Sequence, residues 1–252
     1  MTAHPLARRP RSRFLPAVVL GAGLVAALTA CGGDQDPDAG TNGVGRLSAT
    51  KIQSRTVKAA QGADTVHVAG SVVSGGRTYK LDMRLKDDGG AGSVTTGDGT
   101  FQLLRVDEHL FLKASAAFWT HSDDGKGEHG GDTAAQKLDG KYVKVPSGDP
   151  SYKQLSTFTD KKVLLDGLLT LHGSVAKGER GTSGGVRTIE LSGDKGAGGT
   201  LDVSLEGTAY PMRLERAGGA GTLRLTEWGK SFDLQEPDDA DTVDYGRALP
   251  SS

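Results

Sequence analysis

A single cysteine occurs in 252 residues, aromatic side chains make up 5%, and no excess of basic charge is present, the formal net charge being −1. The lone cysteine excludes an internal disulfide, so any exported form of this chain relies on packing alone. The scarcity of rings leaves the core to aliphatic side chains. The balanced charge argues against nucleic acid as a partner. Long apolar runs are missing as well. Phe14 to Ala30 supplies 17 residues with Pro16 near its start, short of the about 20 needed to span the hydrocarbon core.

The end of that short run carries a motif. Leu28, Thr29, Ala30 and Cys31 lead directly into Gly32 and Gly33, the pattern of a lipobox. The thiol becomes a thioether to a diacylglyceryl group, and the small neighbours admit a peptidase that cuts just before Cys31. Upstream, Arg8, Arg9, Arg11 and Arg13 form a basic n-region with no acidic residue before Cys31, the polarity of an export signal. A twin-arginine signal wants apolar residues soon after the pair, but Pro10, Arg11 and Ser12 intervene. Residues 1–30 are therefore expected to be removed. Losing four of 30 basic residues leaves 26 against 31 acidic ones, a net of −5. Membrane attachment then falls to acyl chains at Cys31 on the extracytoplasmic face of the cell membrane. A buried free thiol and an uncleaved helix are the plainer readings of the same residues.

Glycine is abundant, at 38 residues, and clusters between short patterned runs, as turns in a β-rich chain do. Residues 31–45 read as a flexible tether. Ser48 can cap a helix from Ala49 to about Gln61, with a small inward stripe of Ala49, Ile52, Thr56 and Ala60. From Thr65 the period becomes two. The clearest strand sets Tyr79, Leu81, Met83 and Leu85 against Lys80, Asp82, Arg84 and Lys86, the mark of an antiparallel sheet with one dry face. Runs at Gly92 to Thr96, Thr100 to Val106, His109 to Lys113 and Tyr142 to Val145 continue it. Two helices come next, Ser151 to Phe158 and Asp160 to Leu169, with Asp160 as N-cap. Strands return at Leu171 to Ala176, Val186 to Leu191, Thr200 to Glu206, Ala209 to Arg216, Thr222 to Trp228 and Ser231 to Leu234. Residues 238–252 read as a disordered acidic tail. Gly70-Ser71-Val72 with Gly75-Gly76, echoed by Gly173-Ser174-Val175 with Gly184-Gly185, hints at a duplicated helix and meander.

Many one-sided strands and few helices predict an α+β fold over residues 46–237. Its expected form is a strongly curved antiparallel sheet, a half-barrel with helices on the concave face. The dry face exceeds the cover those helices offer, so a space lined by aliphatic side chains is expected. Its candidate lining is Val68, Val72, Leu81, Met83, Leu85, Phe118, Trp119, Leu164, Leu165, Leu168, Val203 and Met212, with Phe118 and Trp119 at the mouth. An ordinary packed core is the competing expectation.

Several residues carry a family resemblance: the tethered Cys31, the early helix, Val66, Val68 and Gly70, and Leu110 to Lys113 followed by Phe118 and Trp119. The closing run of Tyr210, Pro211, Met212, Arg213 and Leu214, then Trp228, Gly229, Lys230 and Pro237, completes it. Together they resemble the actinobacterial lipoproteins of the LppX/LprG type, which share the LolA-like half-barrel. The resemblance implies a cavity that holds an acylated lipid or glycolipid, with transfer across the envelope and an envelope transporter or other protein partner. It implies no catalytic residue and no cofactor.

Other motifs fail on context. Gly181 to Gly185 has the letters of a nucleophile elbow but sits in a turn between strands rather than before a helix. Gly229-Lys230-Ser231 is the end of a P-loop with Arg224 where its first glycine belongs, and reads as a hairpin turn. His121, Asp123, Asp124, Glu128 and His129 lack a spacing that enforces metal geometry. His67, His109 and His172 stand singly in strand patterns. The expectation is a binding protein rather than an enzyme, with an envelope scaffold or sensor as the alternative.

Overall fold

The computed structural model describes residues 36–121 and 131–244, with backbone only at 121 and 131–134. Cys31, the leader, Asp123, Asp124, Glu128, His129, the side chain of His121 and residues 245–252 lie outside that description. The elements below belong to the unit Pro37–Ser252.

Helix α1 (Ala49–Gln61) begins after Ser48 and buries Ile52, Thr56 and Ala60 of the small stripe expected, with Ala49 only half-buried. A five-strand meander then runs through β1 (Thr65–Ser74), β2 (Arg77–Lys86), β3 (Gly89–Thr96), β4 (Gly99–Val106) and β5 (His109–Ala114). Two short helices, α2 (Ala116–His121) and α3 (Gly131–Leu138), lead to β6 (Tyr142–Val145). Helix α4 (Pro150–Ser156) is capped by Asp149, whose carboxylate accepts from the Ser151 amide at 2.8 Å. Helix α5 (Lys161–Leu168) is capped by Asp160, which accepts from the Val163 amide at 2.9 Å; such caps occupy amides that the first helical turn cannot pair. A second meander runs through β7 (Val175–Ser183), β8 (Val186–Gly193), β9 (Thr200–Ser204), β10 (Pro211–Glu215) and β11 (Gly221–Thr226).

One open sheet of twelve strands results, in the order β12-β6-β5-β4-β3-β2-β1-β11-β10-β9-β8-β7, where β12 is Thr242–Asp244. The two meanders meet where β1 pairs with β11. Every pairing is antiparallel except that of β12 with β6. Each meander is preceded by a helix, and Gly75-Gly76 and Gly184-Gly185 turn the first hairpin of each. The Gly-Ser-Val echo does not superpose in the same way: Gly70 lies within β1, whereas Gly173 precedes β7.

Register makes the two faces of the sheet distinct. Phe101, Val94, Leu81, Gly70, Leu223, Leu214, Leu201 and Leu191 are consecutive partners across eight strands. The neighbouring row, from Gln102 through Ser93, Asp82, Ala69, Arg224, Arg213 and Asp202 to Glu190, is polar except at Ala69. A period of two thus sends aliphatic side chains one way and charge the other. Leu165 and Leu168 of α5 and Ile52 of α1 pack in one core with the aliphatic face.

Three expectations are corrected. Residues 37–45 are not a free spacer: Val44 is fully buried, and the Asn42 amide donates to the Leu205 carbonyl at 2.8 Å. Ser231 to Leu234 forms no strand. Finally, residues 238–244 are ordered, because Lys141 donates to the Ala240 carbonyl and the Asp241 carboxylate, both at 2.9 Å, and Thr242 to Asp244 pairs with β6. Among the described residues no helix is long and apolar enough to cross a membrane.

Candidate functional site

The space between the sheet and its helices is where the sequence placed a lipid. Eight of the twelve lining candidates meet there: Val68, Val72, Leu81, Met83, Leu85, Leu165, Leu168 and Val203 are all buried in the core. Phe118, Trp119 and Leu164 are half-buried against it. Helix α2 sets the Phe118 ring 5.4 Å from that of Phe101, and Trp119 meets Phe118 edge-on at 5.4 Å. Met212 departs from the expected set. The β9–β10 register shifts between Pro211 and Arg213, making Met212 the extra residue of a bulge. The alternation changes phase there: Pro211 and Leu214 are buried and Met212 only partly so.

Leu103, Leu112, Ile189, Leu191, Leu201, Leu214, Leu223 and Leu225 join the same core. Their own alternation already marked them. Val44 joins it too, and a single valine among glycines offered no such signal.

Cations fasten the helices to one end of the sheet. Arg105 of β4 donates to the Thr159 hydroxyl at 3.2 Å and the Thr159 carbonyl at 3.1 Å, in the link between α4 and α5. Lys161, 1% exposed, donates to the Ala63 carbonyl and lies 2.8 Å from the Asp87 carboxylate. That ammonium holds Asp87 below its ordinary carboxylate range, the hydrogen bond being the main cause. Patterning suggested neither role, since charged residues are nearly always exposed.

Two polar atoms stand out in this apolar setting. The Thr56 hydroxyl, on the fully buried face of α1, and the Trp119 indole nitrogen are buried without a hydrogen-bond partner. Such orphans are uncommon in native interiors.

The opposite face carries the charge. His67 Nε2 lies 2.7 Å from Asp82, and Arg84 donates to Glu227 at 3.1 Å. Beside them a cleft of about 170 Å³ is lined by His67, Arg84, Glu227, Lys230 and Phe232 among others. That is below the about 300 Å³ usual for a small-ligand site, and it lies away from most of the aliphatic candidates. On β8 to β10, burial pushes Asp202 and Glu190 up, aided by their acidic neighbours and opposed by Arg213. Gly181 to Ser183 end β7 and Gly184-Gly185 turn into β8, so the elbow motif has no helix after it. Lys230 and Ser231 lead from β11 into a segment with no helix or strand, rather than a hairpin. His109 pairs with Glu236 at 2.5 Å.

The closing run is brought together. Tyr210 and Trp228 stack at 4.7 Å, and the Trp228 indole donates to the Pro211 carbonyl at 3.1 Å.

No family profile and no curated protein matches the chain. Among solved structures, LprF from Mycobacterium bovis is similar at a TM-score of 0.50 and 16% identity, over 75% of this chain and 96% of that one. The Mycobacterium tuberculosis lipoprotein LppX is similar at 0.44 and 15%, over 75% and 100%. An uncharacterised conserved protein from Thermus thermophilus is similar at 0.36 and 10%, over 78% and 98%. At 16% identity the likeness to LprF carries architecture alone: the chain shares the fold of that protein.

Proposed function

We propose that this chain is a lipid-anchored envelope protein, held by Cys31, that takes an acylated lipid or glycolipid between its sheet and its helices. The observation that carries the reading is the apolar row continuing through eight strands, aliphatic except at Phe101 and Gly70, beneath short helices, of which α4 buries no residue fully. The likeness to LprF supports it at the level of the fold. In this reading the sheet bends into a half-barrel with the helices on its concave side, and residues 1–30 are the removed signal.

The aliphatic face packs with Ile52 of α1 and with Leu165 and Leu168 of α5 in one buried core, so in this reading uptake takes the helices away from the sheet. Each buried methylene contributes about 0.8 kcal/mol, so a chain of about sixteen carbons offers on the order of 12 kcal/mol against that separation. Two acyl chains at Cys31 give stable residence in the membrane, where one gives only marginal binding. The reading assigns no catalytic step, cofactor or nucleic acid. Its test is solvent extraction of the chain purified from its own membranes, with mass spectrometry of the extract. A stoichiometric acylated lipid beyond the Cys31 anchor is expected, and its absence contradicts the proposal.

The packing of the lining candidates into one buried core favours a second reading, an anchored scaffold or sensor that presents its charged face to an envelope protein. That reading predicts an extract free of lipid and a protein partner in crosslinking.

A further inference from the structure

Helix α1 presents Ile52, Thr56 and Ala60, each 0% exposed, from one inward face, and it packs against α5, β7 and β10. Positions four apart share a side of a helix, so the Thr56 hydroxyl sits midway along an otherwise apolar stripe. A threonine inside a helix ordinarily has an acceptor to hand, the carbonyl one turn back, here that of Ile52. Thr56 Oγ1 takes neither that carbonyl nor any other partner. Elsewhere the fold pairs the hydroxyls it buries. Thr65 donates to the Lys230 carbonyl at 2.8 Å, Thr159 to the Ser156 carbonyl at 3.1 Å and Ser204 to the Glu206 carbonyl at 2.7 Å. Valine would fill the same space at position 56 with no unpaired polar atom, so the closed interior supplies no reason for a hydroxyl there.

A second buried donor is unpaired toward the other end of the apolar row. The Trp119 indole nitrogen has no partner, and its ring meets Phe118, which lies against Phe101 of β4. The row that starts at Phe101 reaches β10, beside α1, at Leu214. An indole N–H donates and cannot accept, whereas a hydroxyl does either. The one kind of group that satisfies both atoms is therefore an acceptor. In an acylated lipid that group is the ester carbonyl, which brings two lone pairs and no donor to the head of each alkyl chain.

We propose that the Thr56 hydroxyl donates to an ester carbonyl of the bound lipid once α1 and the sheet separate, so that the interior selects acyl esters over alkyl chains of equal length. The inference rests on the carrier reading. An unpaired hydroxyl disfavours the closed form and is satisfied in the loaded one. A site built to hydrogen-bond its ligand also rejects the analogue that lacks the bonding group.

The test offers the purified full chain an equimolar mixture of dipalmitoylglycerol and its diether analogue, dihexadecylglycerol, in detergent micelles, and counts the bound lipids by mass spectrometry. Wild type is expected to hold the diester over the diether by about three- to tenfold, the worth of one hydrogen bond. Thr56→Ser should keep that preference, and Thr56→Val should bring the ratio near one. The ratio is the readout because Thr56→Val also steadies the closed form, which lowers uptake of both lipids alike. Equal uptake by wild type, a preference that persists in Thr56→Val, or one that is lost in Thr56→Ser, overturns the role of the hydroxyl and leaves the carrier reading standing. Uptake of neither lipid by wild type overturns both.

Discussion

Lys161, buried at the start of α5, holds its ammonium 2.8 Å from the carboxylate of Asp87 in the β2–β3 turn. The same ammonium reaches the Ala63 carbonyl between α1 and β1, so one side chain joins two helices to the edge of the aliphatic face. Asp87 is itself 68% exposed, which screens the pair.

Asp87→Asn leaves that ammonium without its counterion. The expected cost is about 1–2 kcal/mol, below the range for a fully buried pair because the carboxylate meets solvent. Since the folded Asp87 lies below its ordinary range, its contribution is present above the unfolded pKa and disappears as pH falls through the lower folded one. Urea unfolding of wild type and Asp87→Asn should therefore differ at pH 7 and converge in strong acid.

Asp202 has the opposite sign. Burial raises it in the folded state, Arg213 opposes and Glu215 adds to the rise. A group raised on folding destabilises when ionised, and that penalty is relieved as pH falls through the raised value. Asp202→Asn is expected to increase the urea midpoint at pH 7, with the gain vanishing in acid. Equal gains at both pH values would contradict this.

Thr56 offers a gain from a nearly isosteric change. Its hydroxyl is buried without a partner, and removing an unsatisfied buried group while keeping its shape stabilises. Thr56→Val is expected to add about 1 kcal/mol, read as a higher thermal midpoint.

Two glycines that look alike in sequence should behave differently. Gly70 sits mid-row with φ near 139°, and a Cβ there would lie 2.2 Å from the Thr222 carbonyl oxygen. Gly70→Ala is expected to cost about 2 kcal/mol or more. Gly97 has nothing within 4 Å of that position, so Gly97→Ala should stay within about 0.5 kcal/mol. Chemical denaturation of the two variants decides.

Much of this architecture is legible because alternation is local: Tyr79 to Lys86 and Leu201 to Leu205 declare their faces without help from the rest of the chain. The cap at Asp160 is legible for the same reason. What stays hidden depends on distant partners. Asn42 is held by Ser204 and Gly207, and β12 is a Thr-Val-Asp tripeptide in an acidic stretch that becomes a strand only because β6 offers an edge. A one-residue bulge at Met212 moves a side chain off its expected face, and nothing in the local pattern announces it. Whether an aliphatic face closes on itself depends on the fit of all its layers together, which no single period encodes.

A lipid carrying a photoreactive acyl chain tests the central claim most directly. After irradiation with the full chain, crosslinks should map to the aliphatic face, at residues such as Leu81, Met83 and Leu165, and an unlabelled diacyl lipid should compete them away. Crosslinks confined to the charged face or to the neighbourhood of Cys31 would contradict it.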